Sequence, residues 1–169
     1  MMSDSIGDTY LLETLKSLKG LKSNAEKAME QITEEEMYYS RNEDSNSVAI
    51  LIKHISGNMI SRFTNFLTTD GEKPDRNRDG EFTREVLSRT ELMRRWEAGW
   101  KCLFDTLSTL SSDDLLKEVI INKEKHSVLR ALTRALVHYA NHTGQIVYIC
   151  KEIRSADFKT LSIPLKKNM

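Results

Sequence analysis

The sequence predicts an all-α protein built on four long helices, and three observations carry that expectation. Only seven Gly and two Pro stand in 169 residues, so few positions can interrupt a helix. Charged residues make up 30% of the chain and interleave with leucine-rich positions spaced by three and four, the period of helices with one buried face. A single long polar segment, Thr68 to Thr83, parts the second helical pattern from the third.

The totals narrow the function classes. A chain of 169 residues, read as one domain over 1–169, can bury a sizeable core. Lys plus Arg and Asp plus Glu are both 25, so the net charge is zero and no basic surplus points to nucleic acid or an anionic membrane. Met1 to Asp8 lacks the basic and apolar regions of a secretory signal, and no run approaches the roughly 18 apolar residues of a membrane span. A cytoplasmic protein is expected. Cys102 and Cys150 fall within apolar helical patterns and read as buried free thiols, not a disulfide framework.

The first helix starts near Ser5 or Asp8 and runs to about Gln31, with Leu11, Leu15, Leu18, Leu21, Ala25, Ala28 and Ile32 on its buried face. Gly20 weakens its middle unless a close neighbour requires it. After the polar run Arg41 to Asn46, Asn46 or Ser47 caps a second helix that extends to about Leu67 through Val48, Leu51, Ile52, Ile55, Met59, Ile60 and Phe63. His54, Asn58 and Arg62 follow one another at four-residue steps along its side, while Lys53 and Ser56 belong to the opposite face. The segment from Thr68 to Thr83 suits a crossover between helices that run the same way. Its Asp75, Asn77 and Asp79 alternate as in a calcium loop, but Val86 stands where the twelfth-position Glu is required, so calcium is not expected.

Ser88 and Glu91 form a capping-box pattern that opens the third helix, which continues through Met93, Trp96, Trp100, Leu103, Phe104 and Leu107 and stops before Ser111. Trp96 and Trp100 share a face; core packing is the ordinary fate of such a pair, and a pocket wall is the sharper reading. A helical turn over Asp113 to Lys117 and an extended or turn segment over Val119 to Lys125 precede Ser127, the cap of the last helix, which runs to about Ile153. Ser155 to Met169 reads as a non-helical tail whose Phe158, Leu161 and Ile163 can pack on the helices.

Chemistry concentrates in three histidines. His138 and His142, four apart, stack on one helical face with about 5 to 6 Å between their Cβ atoms, a spacing suited to one metal ion. His54 sits in the apolar run Ile50 to Ile55, where an imidazole needs a partner. Alone it reads as a hydrogen-bonded core residue; with the other two it makes a metal site the favoured reading, because one ion satisfies several imidazoles at once. Two histidines from one helix and one from another leave open coordination positions, as in catalytic sites. Tyr139 occupies the place that a His-Glu-X-X-His protease gives to its catalytic Glu, so that chemistry is excluded. Asn58, Asn141 or Gln145 could orient the ligands, and His126 is expected to be exposed or to cap a helix.

The stretches Asn46 to His54, His138 to Ile146 and the tail Lys159 to Pro164 together resemble the DinB-like (YfiT-like) metal-binding family, in a poorly characterised bacterial branch. The resemblance spans nearly the whole chain. It implies an up-down-down-up four-helix bundle, frequently dimeric, with His54, His138 and His142 holding a divalent ion such as zinc or nickel. Some relatives use such an ion to activate a low-molecular-weight thiol of the bacillithiol or mycothiol kind, and metal coordination does convert a thiol to its nucleophilic thiolate without a protein base. The leading expectation is therefore a metal-dependent transferase that joins a small thiol to an electrophile, with Trp96, Trp100 and Tyr139 shaping the pocket. Metal-dependent hydrolysis and a non-catalytic dimer stabilised by metal are the alternatives.

Overall fold

Ser5 opens the first helix by accepting from the Asp8 backbone N–H while the Asp8 carboxylate reaches back to the Ser5 backbone, a complete capping box. The computed structural model describes residues 5–163, so the expectations for the first four residues and for the tail beyond Ile163, Pro164 included, lie outside the described residues. Four helices follow: α1 (Ile6–Met29), α2 (Val48–Phe63), α3 (Arg89–Thr109) and α4 (Val128–Arg154). Ser47, Ser88 and Ser127 cap the last three, each hydroxyl accepting a backbone N–H of the first turn. The box at Ser88 is only half made, because the Glu91 carboxylate accepts from Arg94 and Arg95 instead.

Contacts along the helices set their directions. Tyr10 near the start of α1 donates to the Leu129 carbonyl near the start of α4, and Gln31 exchanges hydrogen bonds with Lys159 beyond their far ends, so α1 and α4 run the same way. Gly99 packs on Ser56 and Thr106 donates to the Phe63 carbonyl, so α2 and α3 also run the same way. Arg89 at the start of α3 donates to the Met29 and Ile32 carbonyls at the end of α1, satisfying orphan acceptors there and fixing the two pairs as opposed. The bundle is up-down-down-up, as expected.

Helix α2 ends four residues earlier than the apolar pattern suggests, because Thr64 turns extended and Asn65 adopts a positive φ of 51°. The crossover from there to Ser88 is structured. Asp70 accepts from the backbone N–H groups of Glu72, Asn122 and Lys123, which pins it to a hairpin of β1 (Glu118–Ile121) and β2 (Glu124–Ser127). Asn122 and Lys123 both have positive φ, the requirement of a two-residue hairpin turn of type I′. A 3-10 turn at Asp79–Phe82 then lies across α2.

That cover explains why Lys53, on the face opposite His54, is buried: its ammonium donates to the Thr83 carbonyl at 2.6 Å, while Ser56 is buried by packing on Gly99 of α3. The buried core runs from Leu18, Ala25 and Met29 through Leu51, Ile52, Ile55 and Met59 to Leu92, Leu103, Leu132 and Ile146. Phe158 and Leu161 pack against it after α4, whereas Ile163 is 93% exposed. Cys150 is buried and Cys102 half-buried, both free thiols.

Candidate metal centre

Antiparallel packing of α2 on α4 brings His54 opposite His138 and His142. The three ring centroids lie 5.3, 4.9 and 4.6 Å apart, and one ring nitrogen from each falls within 4.8 Å of the others. The Nδ1 atom of His54 is 2.9 Å from a carboxylate oxygen of Glu81, and that of His142 is 3.4 Å from Gln145 Oε1. An acceptor on Nδ1 places the proton there and leaves the Nε2 lone pair free. His138 supplies the complement: its Nε2 is buried and has no hydrogen-bond partner among the described residues.

The site is biased against protonation. Burial holds the His138 imidazole well below its ordinary value, at about 4, and the neighbouring His142, His54, Arg62 and Arg76 push the same way. Burial also lowers His142, against the raising effect of the Gln145 bond. A neutral imidazole is the form that ligates metal. Three imidazoles that each bring a ring nitrogen within 4.8 Å of the others, two of them held toward the neutral form, fit a divalent ion of the zinc type. Two ligands of one zinc ion span at most about 4.2 Å, twice the usual bond of about 2.1 Å, so an ion would draw the widest pair of rings together.

The least expected member is Glu81, which the crossover turn delivers to α2. Its side chain is 9% exposed and that of His54 5%. Burial alone would raise the Glu81 pKa, but the bonds from His54 and Arg76 outweigh it and hold the carboxyl below its usual range. Arg76 clasps both Glu81 oxygens, Nε to Oε1 and Nη2 to Oε2, each at 2.8 Å. Room for this comes from Gly57: a Cβ there would stand 2.3 Å from Glu81 Oε1. A glycine inside an otherwise buried helix was the trace in the sequence of something pressing on α2. The carboxylate itself lay in a segment with no periodicity to orient it.

The other expected site residues divide. Asn58 and Tyr139 line the cavity beside the histidines, the Tyr139 hydroxyl donating to Asn58 Oδ1 at 2.9 Å. Trp96 and Trp100 do not form its wall; both are fully buried, Trp96 donating to Glu26 and Trp100 stacked on Phe104 with Tyr139 beyond it. Phe82 takes the wall position, 4.8 Å from the His54 ring. Asn141 turns away from the triad into a separate depression with Tyr39, Arg41 and Glu152, which Gln145 also lines. His126 is neither exposed nor a cap: it is 6% exposed on β2, because the hairpin folds back on the bundle, and its Nε2 has no hydrogen-bond partner among the described residues, with the Glu124 carboxylate 3.7 Å away.

The cavity above the histidines holds about 350 Å³ and opens between α2, α4 and the crossover. Arg62, Arg78 and Arg134 are among the residues that line it. Among the described residues no helix is long and apolar enough to cross a membrane. A family model described as "Protein of unknown function (DUF1572)" matches residues 5–167. No curated protein and no solved structure gives a significant match. The match runs through all four helices and every residue of the triad, and the chain belongs to the DUF1572 family.

Proposed function

We propose that the protein is a DinB-like divalent-metal protein whose ion, zinc or nickel, is held by His54, His138 and His142, and that it is a transferase joining a low-molecular-weight thiol to an electrophile. The observation that carries the reading is the convergence of three imidazoles, one nitrogen of each within 4.8 Å of the others, together with a His138 Nε2 atom that is buried and has no hydrogen-bond partner among the described residues. Leaving a buried polar group unsatisfied costs about 1 to 3 kcal/mol, so an arrangement that orphans one and points it at two others implies a ligand.

An ion held by the three histidines would supply Lewis acidity, which favours the thiolate form of a small thiol. The protein's own groups do the positioning. Glu81 accepts the His54 Nδ1 proton and fixes the ring with Nε2 toward the cavity, and Arg76 keeps that carboxylate ionised and oriented. Gln145 does the same for His142 over a longer bond. Tyr139 cannot serve as the base: burial raises its phenol far above neutrality, and its hydroxyl already donates to Asn58. Glu72 is engaged by Arg62 and Arg76. Neither Tyr139 nor Glu72 is therefore free to take a thiol proton. The reading includes a cytoplasmic homodimer, for which the exposed apolar Leu12 of α1 and Leu129 and Val137 of α4 offer contact area.

Elemental analysis of tag-free protein beside His54→Ala and His138→Ala tests the centre. Near-stoichiometric metal in the wild type and its loss from both variants is expected; metal absent from the wild type even after reloading would sink the reading. Protein loaded in turn with zinc, nickel or manganese is then expected to conjugate a thiol to members of an electrophile panel. Turnover of esters or phosphoesters with no thiol present would move the reading to hydrolysis. A large melting shift with metal and no turnover at all would leave a metal-stabilised bundle.

A further inference from the structure

Four arginines line the cavity over the histidines, Arg62, Arg76, Arg78 and Arg134, against one lining carboxylate, Glu72. In a chain of zero net charge that local excess has to be accounted for. Two of the four are committed elsewhere. Arg76 grips Glu81 through two bonds of 2.8 Å, and Arg78 lies over the Phe82 ring at 5.4 Å with Asp79 nearby at 3.7 Å.

Arg62 and Arg134 are not so balanced. Arg62 Nη2 meets Glu72 at 3.0 Å, but Glu72 is shared with Arg76, and Arg62 Nη1 is buried with no hydrogen-bond partner among the described residues. Arg134 has no acidic partner within ion-pair distance among the described residues. The antiparallel crossing of α2 and α4 places the two at the same end of the cavity, where their charges and that of Arg76 repel one another. Holding like charges together around a buried, unused guanidinium donor is unfavourable unless an anion completes the set.

The positions also measure the ligand. Arg62 stands eight residues past His54 on α2 and Arg134 four residues before His138 on α4. At 1.5 Å per residue these are offsets of about 12 Å and about 6 Å along the helix axes. A group bound by both arginines therefore lies a small molecule's length from the triad, within one continuous cavity of about 350 Å³.

We infer that Arg62 and Arg134 form an oxyanion subsite, which holds the carboxylate or phosphate of a small-molecule substrate while the rest of that substrate extends toward the three histidines. The orientation toward a reaction centre rests on the function proposed above; the anion subsite itself rests on the arginines alone. An anionic oxygen pairs with the buried Nη1 of Arg62 more strongly than a neutral acceptor of the same size.

Calorimetric titration with glutarate and, separately, inorganic phosphate tests the subsite on wild type, Arg62→Gln and Arg134→Gln, each in metal-free and zinc-loaded form. Arg134 is exposed, so its variant folds even if the partly buried Arg62 variant does not. One of the two anions is expected to bind metal-free wild type, with affinity reduced at least fivefold in Arg134→Gln and falling as salt rises. The arm that binds identifies the headgroup. No binding of either anion, or equal binding in wild type and Arg134→Gln, overturns the inference and leaves Arg134 a solvated surface charge. Zinc content, measured on the same samples, separates the two readings: arginine-dependent binding without zinc retention keeps the subsite and removes the metal centre, and zinc retention without such binding does the reverse.

Discussion

The two faces of α2 solve opposite problems. Toward α3 the helix is packed so closely that a Cβ on Gly99 would stand 2.8 Å from Ser56 Cα. Toward α4 the same helix leaves a cavity of about 350 Å³ lined by His54, Asn58 and Arg62. The first face closes by shape around the buried Ser56 hydroxyl, which has no hydrogen-bond partner among the described residues. The second is polar, closed by hydrogen bonds on one side through Glu81 and left incomplete on the other at His138 and Arg62. Close packing and open polar space thereby lie on separate sides of one helix. A tight α2–α3 seam backs the histidine face, and the His138 Nε2 and Arg62 Nη1 atoms on the cavity side have no hydrogen-bond partner among the described residues.

That division can be broken from either side. The largest effect is expected on the polar face: Glu81→Gln removes the charged acceptor from His54 Nδ1 and should lower metal affinity about 10-fold to 100-fold, read by competition with a chromogenic chelator. An unchanged affinity would mean that the carboxylate only buttresses the crossover. On the close-packed face, Gly99→Ala should cost about 1 to 3 kcal/mol by overpacking against α2, measured by urea unfolding, with metal content unchanged. Loss of metal in that variant would show that the faces are coupled.

Acid should act on the polar face first. In metal-free protein the folded His138 titrates near 4, below the 6.5 of an unperturbed imidazole, so between those values the unfolded chain binds a proton that the folded one refuses. Stability from this residue is complete above pH 6.5 and is lost as pH falls toward 4. Glu81, also lowered, adds its own loss below its ordinary 4.5. Melting temperatures across this range should decline in the wild type, and His138→Ala should flatten the upper part of the decline. The smallest effect lies on neither face: a Cβ added at Gly20 would meet nothing within 4 Å, so Gly20→Ala should stabilise α1 by about 0.5 to 1 kcal/mol. Destabilisation there would reveal a neighbour on the outer surface of α1, such as a second copy.

The elements that repeat were legible. Leu18, Ala25 and Ala28 on α1 and Leu51, Ile55 and Met59 on α2 are buried as their spacing requires, and serines at 47, 88 and 127 cap the helices they precede. The histidine face was legible for the same reason: four-residue steps align His54 with Asn58 and Arg62, and His138 with His142, whatever the rest of the fold does. Burial of Lys53 and Ser56 was not, because a helical pattern tells which side is apolar and cannot tell that the polar side will be covered by another part of the chain. His126 failed likewise. Its burial depends on the hairpin folding against the bundle, and nothing local to Lys125 or Ser127 says so.

Helices, caps and the sharing of faces are written in the order of residues, since each follows from backbone geometry over a few neighbouring positions. The company those residues keep was settled by packing alone. Glu81 and Arg76 reach His54 from a crossover with no period of its own, the two tryptophans withdraw into the core while Phe82 takes the wall, and Arg62 meets Arg134 across two helices. Periodicity fixes directions within one helix. Which directions meet depends on the order, sense and spacing of packing among all four, and that is a property of the whole chain.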